Sequence, residues 1–356
     1  SVLSHFTLKA SYSLTADRGP ADVTNSQAII TSYSPYRPFT SIQESGLYIK
    51  ELENSELTYE KKHELNIGAD MGFLNNRINL AVDWYKRNNY DLIGIVNTQG
   101  AGGQILKYAN IASMKSHGIE FTLSTKNIKT KDFNWNTDFI FSNAKNEVTD
   151  LKQNANVMEL ISGNGFAKQG YPVRGLFSIP FVGLDKDGIP VIINEKGEAT
   201  STDINFQERQ NTGFLKYEGP TDPTITGSFG NIFRYKGFKL NVFITYSFGN
   251  VIRLDPVFSN EYTDLTSMPK EFKNRWVLAG EESITTIPTI VTKRQSDTDN
   301  HLKTLYNAYN YSTERIAKGD FIRMKEISVS YDFPKKWLEK IFLSLIHISE
   351  PTRPLY

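Results

Sequence analysis

The sequence predicts an all-β chain, an antiparallel up-and-down transmembrane β-barrel wall, and three observations carry the prediction. Long segments alternate apolar and polar residues, and the connections between them are alternately very short and very long. Several segments also exceed the ~5 to 6 residues usual for strands of soluble domains. Lipid demands one apolar face, and a water-filled lumen accepts the other.

The first strand is expected over 4–16, where Phe6, Leu8, Ala10, Tyr12 and Leu14 alternate with polar residues. Over 58–73, Leu65, Ile67, Ala69, Met71 and Phe73 share one face, while Glu64, Asn66, Gly68, Asp70 and Gly72 share the other. That is an unbroken period of two. A turn at Leu74-Asn75-Asn76-Arg77 leads into 77–95, where Ile78, Leu80, Val82 and Trp84 oppose Asn79, Ala81 and Asp83. A second hairpin joins 114–127 (Ile119, Phe121, Leu123) to 132–148 (Phe133, Trp135, Phe139, Phe141) around Asn127 to Lys131. Strands are expected next at 171–184 and 188–195, although Pro180 and Pro190 fall inside them and a proline cannot donate to a ladder. The third hairpin pairs 224–235 with 238–250 and turns at Lys236-Gly237. Phe229, Phe233 and Tyr235 answer Phe238, Leu240, Val242, Ile244 and Tyr246 across it.

The tenth strand, 319–333, puts Phe321, Ile327, Val329, Tyr331 and Phe333 toward lipid, which brings Arg323 and Lys325 to the same side. A basic residue at the bilayer midplane costs ~2 to 4 kcal/mol, falling nearly to zero at the interface. Either the strand projects above the membrane there or a bulge shifts its phase. Projection is the expectation, because both charges lie at the end nearest the outer loop.

Connections after the second, fourth, sixth and eighth of these strands are short. The others, 17–57, 96–113, 149–170, 196–223 and 251–318, are long and fall on one side, as barrels with short periplasmic turns and longer outer loops require. Tyr85, Tyr90, Phe133, Tyr235, Phe238 and Phe333 lie near strand ends and are candidates for the interfacial aromatic girdles.

Composition is permissive: 356 residues, 39% hydrophobic, 40 basic against 39 acidic residues and a net charge of +1. The mean hydropathy is −0.40. Barrel walls read as polar on average because only alternate residues meet lipid. No run approaches the ~20 apolar residues of a membrane helix, which excludes a helical channel. The charge balance argues against nucleic acid as a partner. The chain has no cysteine, which excludes disulfide scaffolds and thiol catalysis.

Candidate sites are weak, and no catalytic, cofactor or metal residue is assigned. Asp185-Lys186-Asp187-Gly188 begins like a calcium loop, but Asn194 and Glu195 break the twelve-residue spacing, so a tight turn with glycine at positive φ is expected. His5, His63, His117, His301 and His347 are dispersed, without metal-ligand spacing. Glu64, Asp70, Asp83, Glu120 and Asp138 share the polar face; paired glycosidase acids are conceivable, but charges lining a wet lumen are the simpler account. Gly100-Ala101-Gly102-Gly103 lacks the Lys-Ser/Thr of a phosphate cradle. In Asn307-Ala308-Tyr309-Asn310-Tyr311 the aromatics could stack on sugar rings, while packing of the loop is the expected role.

At the N-terminus, Ser1-Val2-Leu3-Ser4 runs straight into the first alternating segment with no signal peptide, so the chain is expected to begin inside a longer protein. Residues 343–356, beginning Leu343-Ser344-Leu345-Ile346-His347-Ile348-Ser349, read as a translated sequencing adapter, and the native sequence is expected to diverge near Phe342.

Several ordered segments resemble the SusC/RagA family of TonB-linked outer-membrane transporters. They are Leu57-Thr58-Tyr59-Glu60-Lys61 with His63-Glu64-Leu65-Asn66-Ile67-Gly68, Phe73-Leu74-Asn75-Asn76-Arg77-Ile78, Ser116-His117-Gly118-Ile119-Glu120, Tyr217-Glu218-Gly219-Pro220 with Asp222-Pro223, Tyr235-Lys236-Gly237-Phe238, Arg275-Trp276, and Asp320-Phe321-Ile322-Arg323 leading to Tyr331-Asp332-Phe333-Pro334. No one of these is specific, but their order and spacing across 57–334 are. The resemblance implies that residues 1–342 are about ten strands of a barrel of ~22, incomplete at both ends. It also implies an N-terminal plug, the TonB-ExbB-ExbD energy-coupling complex, and a SusD-like surface lipoprotein docked on long loops such as 17–57 and 251–318. Uptake of a glycan or oligosaccharide, or of a peptide, across the outer membrane is the implied function, with no enzymatic step and no cofactor. A soluble carbohydrate-binding or glycosidase β-sandwich is the rival from another class, and a passive porin or adhesin barrel is a third reading. Strand length disfavours the sandwich.

Overall fold

In the computed structural model, residues 2–19, 28–34, 45–51, 53–97, 106–258 and 269–333 are described. Residues 343–356 and Gly100 to Gly103 lie outside them. Eight long strands form one antiparallel meander in which each pairs with its sequence neighbour. They are β1 (Leu3–Asp17), β2 (Glu60–Phe73), β3 (Ile78–Asn97), β4 (Leu106–Lys129), β5 (Phe133–Leu151), β6 (Ile225–Tyr235), β7 (Phe238–Phe248) and β8 (Phe321–Tyr331). The sheet is open: β1 and β8 each have one neighbour among the described residues.

One row of paired residues crosses the whole sheet: Leu8, Ala69, Val82, Phe121, Phe141, Gly227, Tyr246 and Ile322. All but Gly227 offer an apolar or aromatic side chain, and Tyr246 fills that gap. Its hydroxyl donates to the Ile140 carbonyl at 2.8 Å, and a Cβ at position 227 would collide with both groups. The opposite face carries the polar set, so the alternation in sequence is the pleat of the wall.

The turns follow the predicted chemistry. Leu74, Asn75 and Asn76 all take positive φ between β2 and β3, and Lys236 (φ 52) does so in the two-residue turn between β6 and β7. Left-handed residues match the twist of a hairpin.

Three expectations are corrected. Segments 171–184 and 188–195 are not wall strands. Gly175–Ser178 pairs with Lys216–Pro220, while Phe181–Leu184, Pro190–Ile193 and Ala199–Thr200 form a separate small sheet. Pro180 lies between Gly175–Ser178 and Phe181–Leu184, and Leu176, Phe177, Ser178 and Ile179 are at most 1% exposed. Gly175–Ser178 is buried on every side and the others pair away from the wall, so among the described residues the wall has eight strands and not ten. The alternation of short and long connections survives because the pair removed is even. Second, 96–113 is not simply a loop: β3 and β4 run on to 20 and 24 residues, so strand continues on both sides of it. A membrane strand needs only ~9 to 11.

The third correction concerns β8. Val242 pairs with Ile327, Phe243 with Glu326 and Ile244 with Met324, which leaves Lys325 as the extra residue of a bulge. The bulge shifts the phase, as bulges do. Met324 and Ile322 therefore join the apolar face, while Arg323 and Phe321 pair with Thr245 and Ser247 on the polar one. A bulge rather than projection resolves the two basic residues, and Phe321 does not face lipid.

The buried core lies outside the wall. Connection 152–224 and the described parts of the next one, 249–258 and 269–320, fold together into a cap on the long-connection side, with Val157, Leu160, Ile161, Phe177, Ile179 and Ile192 from the first packed on Leu305 and Ala308 from the second. Leu305 and Ala308 belong to a helix, Asn300–Asn310, whose N-cap Asp299 accepts from the His301 amide at 2.9 Å. A five-residue helix, Val157–Ile161, starts with a full capping box between Asn156 and Glu159. A barrel wall must spend its apolar side chains on lipid, so these connections supply a core of their own.

Candidate functional site

The polar face of the wall is a network of paired charges. Glu64 sits between Lys62 and Arg87, with Arg87 Nε at 3.0 Å, and the Arg87 guanidinium lies 4.2 Å from the centre of the Tyr85 ring. Lys9 pairs with Asp70, and Ser124 Oγ donates to Asp138 at 2.6 Å. Asp83 and Glu120 are direct cross-strand partners. The five carboxylates singled out in sequence thus share one face, and three of them have partners there that suit a wet lumen better than acid catalysis. Tyr85 is on this side too, which removes it from the girdle set.

Tyr90 pairs with Lys61 at the opposite end of the wall, while Phe133, Tyr235, Phe238 and Phe333 gather as a girdle near the short turns. Tyr235 pairs with Phe133 and Phe238, Phe238 pairs with Tyr331, and Tyr331 packs edge-on against Phe333. Just above it runs a polar ladder that the apolar count in sequence misses. Asn231 Oδ1 accepts from Trp135 Nε1 at 2.9 Å and from Thr137 Oγ1 at 2.7 Å; Thr137 Oγ1 accepts from Asn127 Nδ2, and Asn127 Oδ1 from Thr125 Oγ1. These groups satisfy one another, which is what polar side chains facing lipid require.

The cap is pinned by Arg253. Its Nη1 donates to Ser178 Oγ (3.1 Å) and the Ser312 carbonyl (3.0 Å), and its Nη2 to the carbonyls of Ile161 (3.1 Å) and Phe177 (2.6 Å). Burial lowers its pKa to about 10, so the guanidinium stays charged at neutral pH. Asn310 holds the neighbouring segment by accepting from the amides of Val257 and Phe258. Tyr309 is 1% exposed and packs on Val257 and Phe272, while Tyr311 packs on the core and lies 5.7 Å from the Arg253 guanidinium. Packing, not sugar stacking, is the role of both rings.

The Asp185-Gly188 segment is the expected turn. Asp185 Oδ1 accepts from the amides of Asp187 and Ile189, both at 2.9 Å, and Gly188 has φ 73 with Trp276 over it. Trp276 opens a second turn. Glu281 Oε2 accepts from the amides of Val277 (2.6 Å) and Leu278 (3.0 Å), and Glu282 Oε2 from the Gly280 amide (2.8 Å) and Trp276 Nε1 (3.0 Å). The backbone donors lower the Glu281 pKa, and the indole does so first for Glu282. This rigid turn holds apolar side chains in water: Val277 is 54% exposed, Leu278 67% and Ile284 81%.

Two cavities open on the cap. One of about 420 Å³ is lined by Phe206, Phe258, Lys303, Thr304, Asn307 and Asn310. Another of about 410 Å³ lies at the seam with the wall, between Lys145, Asn146, Arg174, Tyr217 and Asp222. No group of acids or histidines able to hold a metal occurs among the described residues.

An antiparallel wall, apolar outside and charged inside, with a folded cap over its long-connection side defines a transmembrane β-barrel of the outer-membrane type. The chain belongs to the TonB dependent receptor-like, beta-barrel family, whose model matches residues 2–254. It is 23% identical to TonB-dependent receptor P3 of Formosa agariphila over 90% of this chain and 32% of that protein. It is 37% identical to the TonB-dependent receptor SusC of Bacteroides thetaiotaomicron over 28% of this chain and 10% of that protein. The fold matches the RagAB peptide importer in its open-open state with a TM-score of 0.73 and 22% identity, covering 98% of this chain and 35% of that one. The chain thus spans about a third of the Formosa receptor and of the RagAB chain, as a SusC-like segment of an outer-membrane protein from a Gram-negative bacterium.

Proposed function

We propose that the whole protein imports an oligosaccharide or peptide across the outer membrane, driven by the TonB-ExbB-ExbD complex, with a SusD-like surface lipoprotein docked on the cap described above. The observation that carries this reading is the apolar turn at 276–284. Exposing three large apolar side chains on a braced turn costs solubility, and such a patch suits a partner that covers it. The paired charges of the inner face suit passage of a hydrated solute past a wet wall.

The test is co-purification from outer membranes carrying the full-length protein. Leu278→Glu with Ile284→Glu is expected to release the lipoprotein while the barrel still inserts and keeps its heat-modifiable mobility. Undiminished recovery of the lipoprotein with this variant would overturn the docking role. Growth of a deletion strain on single glycans or peptides, with rescue by the intact gene, assigns the cargo; unimpaired growth on all of them would sink the importer reading.

A further inference from the structure

The register places Lys86, His117 and Lys145 side by side on β3, β4 and β5: Lys86 pairs with His117 and His117 with Lys145. All three are exposed and lie on the lipid-facing side. The row beneath them holds Trp84, Ile119 and Asn143, whose Nδ2 donates to the Thr224 carbonyl, and the next holds Val82, Phe121 and Phe141. Leu65 and Tyr12 continue the basic row across β2 and β1.

Depth along the wall fits a membrane boundary. From the girdle residue Phe133 to Lys145 is a climb of twelve residues along β5. At ~3.3 Å per residue and a tilt of ~40° this is about 30 Å, against an apolar band of ~25 Å. The row therefore lies at the headgroup level of the leaflet on the cap side.

Neighbouring cations are neutralised. One row higher Lys115 meets Glu147 at 3.0 Å, and beyond it Lys61 meets Asp91 at 2.7 Å. At the seam Arg174 meets Asp222 at 2.8 Å. Lys86, His117 and Lys145 have no hydrogen-bond or ion-pair partner among the described residues. Three adjacent strands bring these side chains within ~10 Å of one another.

We infer that this row is a docking site for the phosphorylated headgroup of a lipid in the outward-facing leaflet. The two lysines supply charge, the imidazole a hydrogen bond, and Trp84, Ile119, Val82, Phe121 and Phe141 below receive the acyl chains. The inference rests on the lipid-facing wall and not on the proposed cargo or lipoprotein, so the two can fail separately.

The test uses the full-length protein in phosphatidylcholine nanodiscs doped with lipid A carrying both phosphates, or with the same lipid dephosphorylated, read by native mass spectrometry after detergent extraction. Lys86→Gln with His117→Gln and Lys145→Gln is expected to lose about tenfold or more in retained lipid A, the size expected when two or three interfacial basic groups are neutralised. Lys86→Arg with Lys145→Arg keeps the charge and is expected to retain it, as is Lys115→Gln with Glu147→Gln. Inorganic phosphate is expected to leave the bound lipid in place. Equal retention of the phosphorylated and dephosphorylated lipid by the native protein would overturn the inference, and so would a triple glutamine variant that binds as the native protein does.

Discussion

Arg253 shows how one residue organises the cap. Four hydrogen bonds from one guanidinium reach carbonyls and a hydroxyl on segments distant in the chain, so its loss leaves several acceptors without a donor. Arg253→Met is expected to destabilise the cap by about 2 to 4 kcal/mol, the range for breaking a buried charged network. Hydrogen exchange should rise around Ile161 and Phe177 while the wall strands stay protected. Glu281 and Glu282 give a second handle. Their pKa values are lowered in the fold, so their contribution is complete above the ordinary carboxylate range and is lost as pH falls through the folded values. Proteolytic nicking of the 276–284 turn is expected to rise on acidification below that range. Glu281→Gln should be nicked readily at neutral pH as well.

At the scale of the element, β8 gives the sharpest test. With no native cysteine, single spin labels can be placed cleanly. Labels at Ile322→Cys and Met324→Cys in the full-length protein should meet lipid-soluble oxygen, and a label at Arg323→Cys a water-soluble relaxant. The reverse pattern would mean that the bulge at Lys325 is absent. The same strand shows where reading residues in order succeeds and where it fails. Period two marks the faces of β2, β6, β7 and the Ile78 to Asn89 part of β3 because side chains there obey the pleat, whereas past Asn89 the register of β3 shifts and Asp91 takes φ 57. In β8 one residue leaves the ladder, and nothing in Arg-Met-Lys-Glu marks which. In 171–195 short apolar stretches such as Val191-Ile192-Ile193 replace strict alternation, and Pro180 and Pro190 were the visible warning. The Asn231 ladder and the basic row at Lys86 were hidden for another reason: each is made of neighbours across strands, and only the register brings them together.

For the whole molecule, the open sheet and its two free edges carry a direct expectation. The chain produced alone should aggregate in buffer without detergent, because among the described residues β1 and β8 each have a neighbour on one side alone and the outer face offers apolar side chains to water. Light scattering checks this, and a monodisperse species in plain buffer would count against the membrane wall. Family membership and a fold match over nearly the whole chain agree with that assignment, while roughly two-thirds of the full-length relatives has no counterpart here.

The interlocking of the two long connections sets an order of events during biogenesis. The Phe181 amide finds the Thr313 hydroxyl across 132 residues of chain, and the strands β6 and β7 intervene. Such distant partners meet late. Until the second connection arrives, the first presents a half-built interior to its surroundings. The cap is thus complete only when both connections are in place, so a lipoprotein that recognises it would need both segments folded.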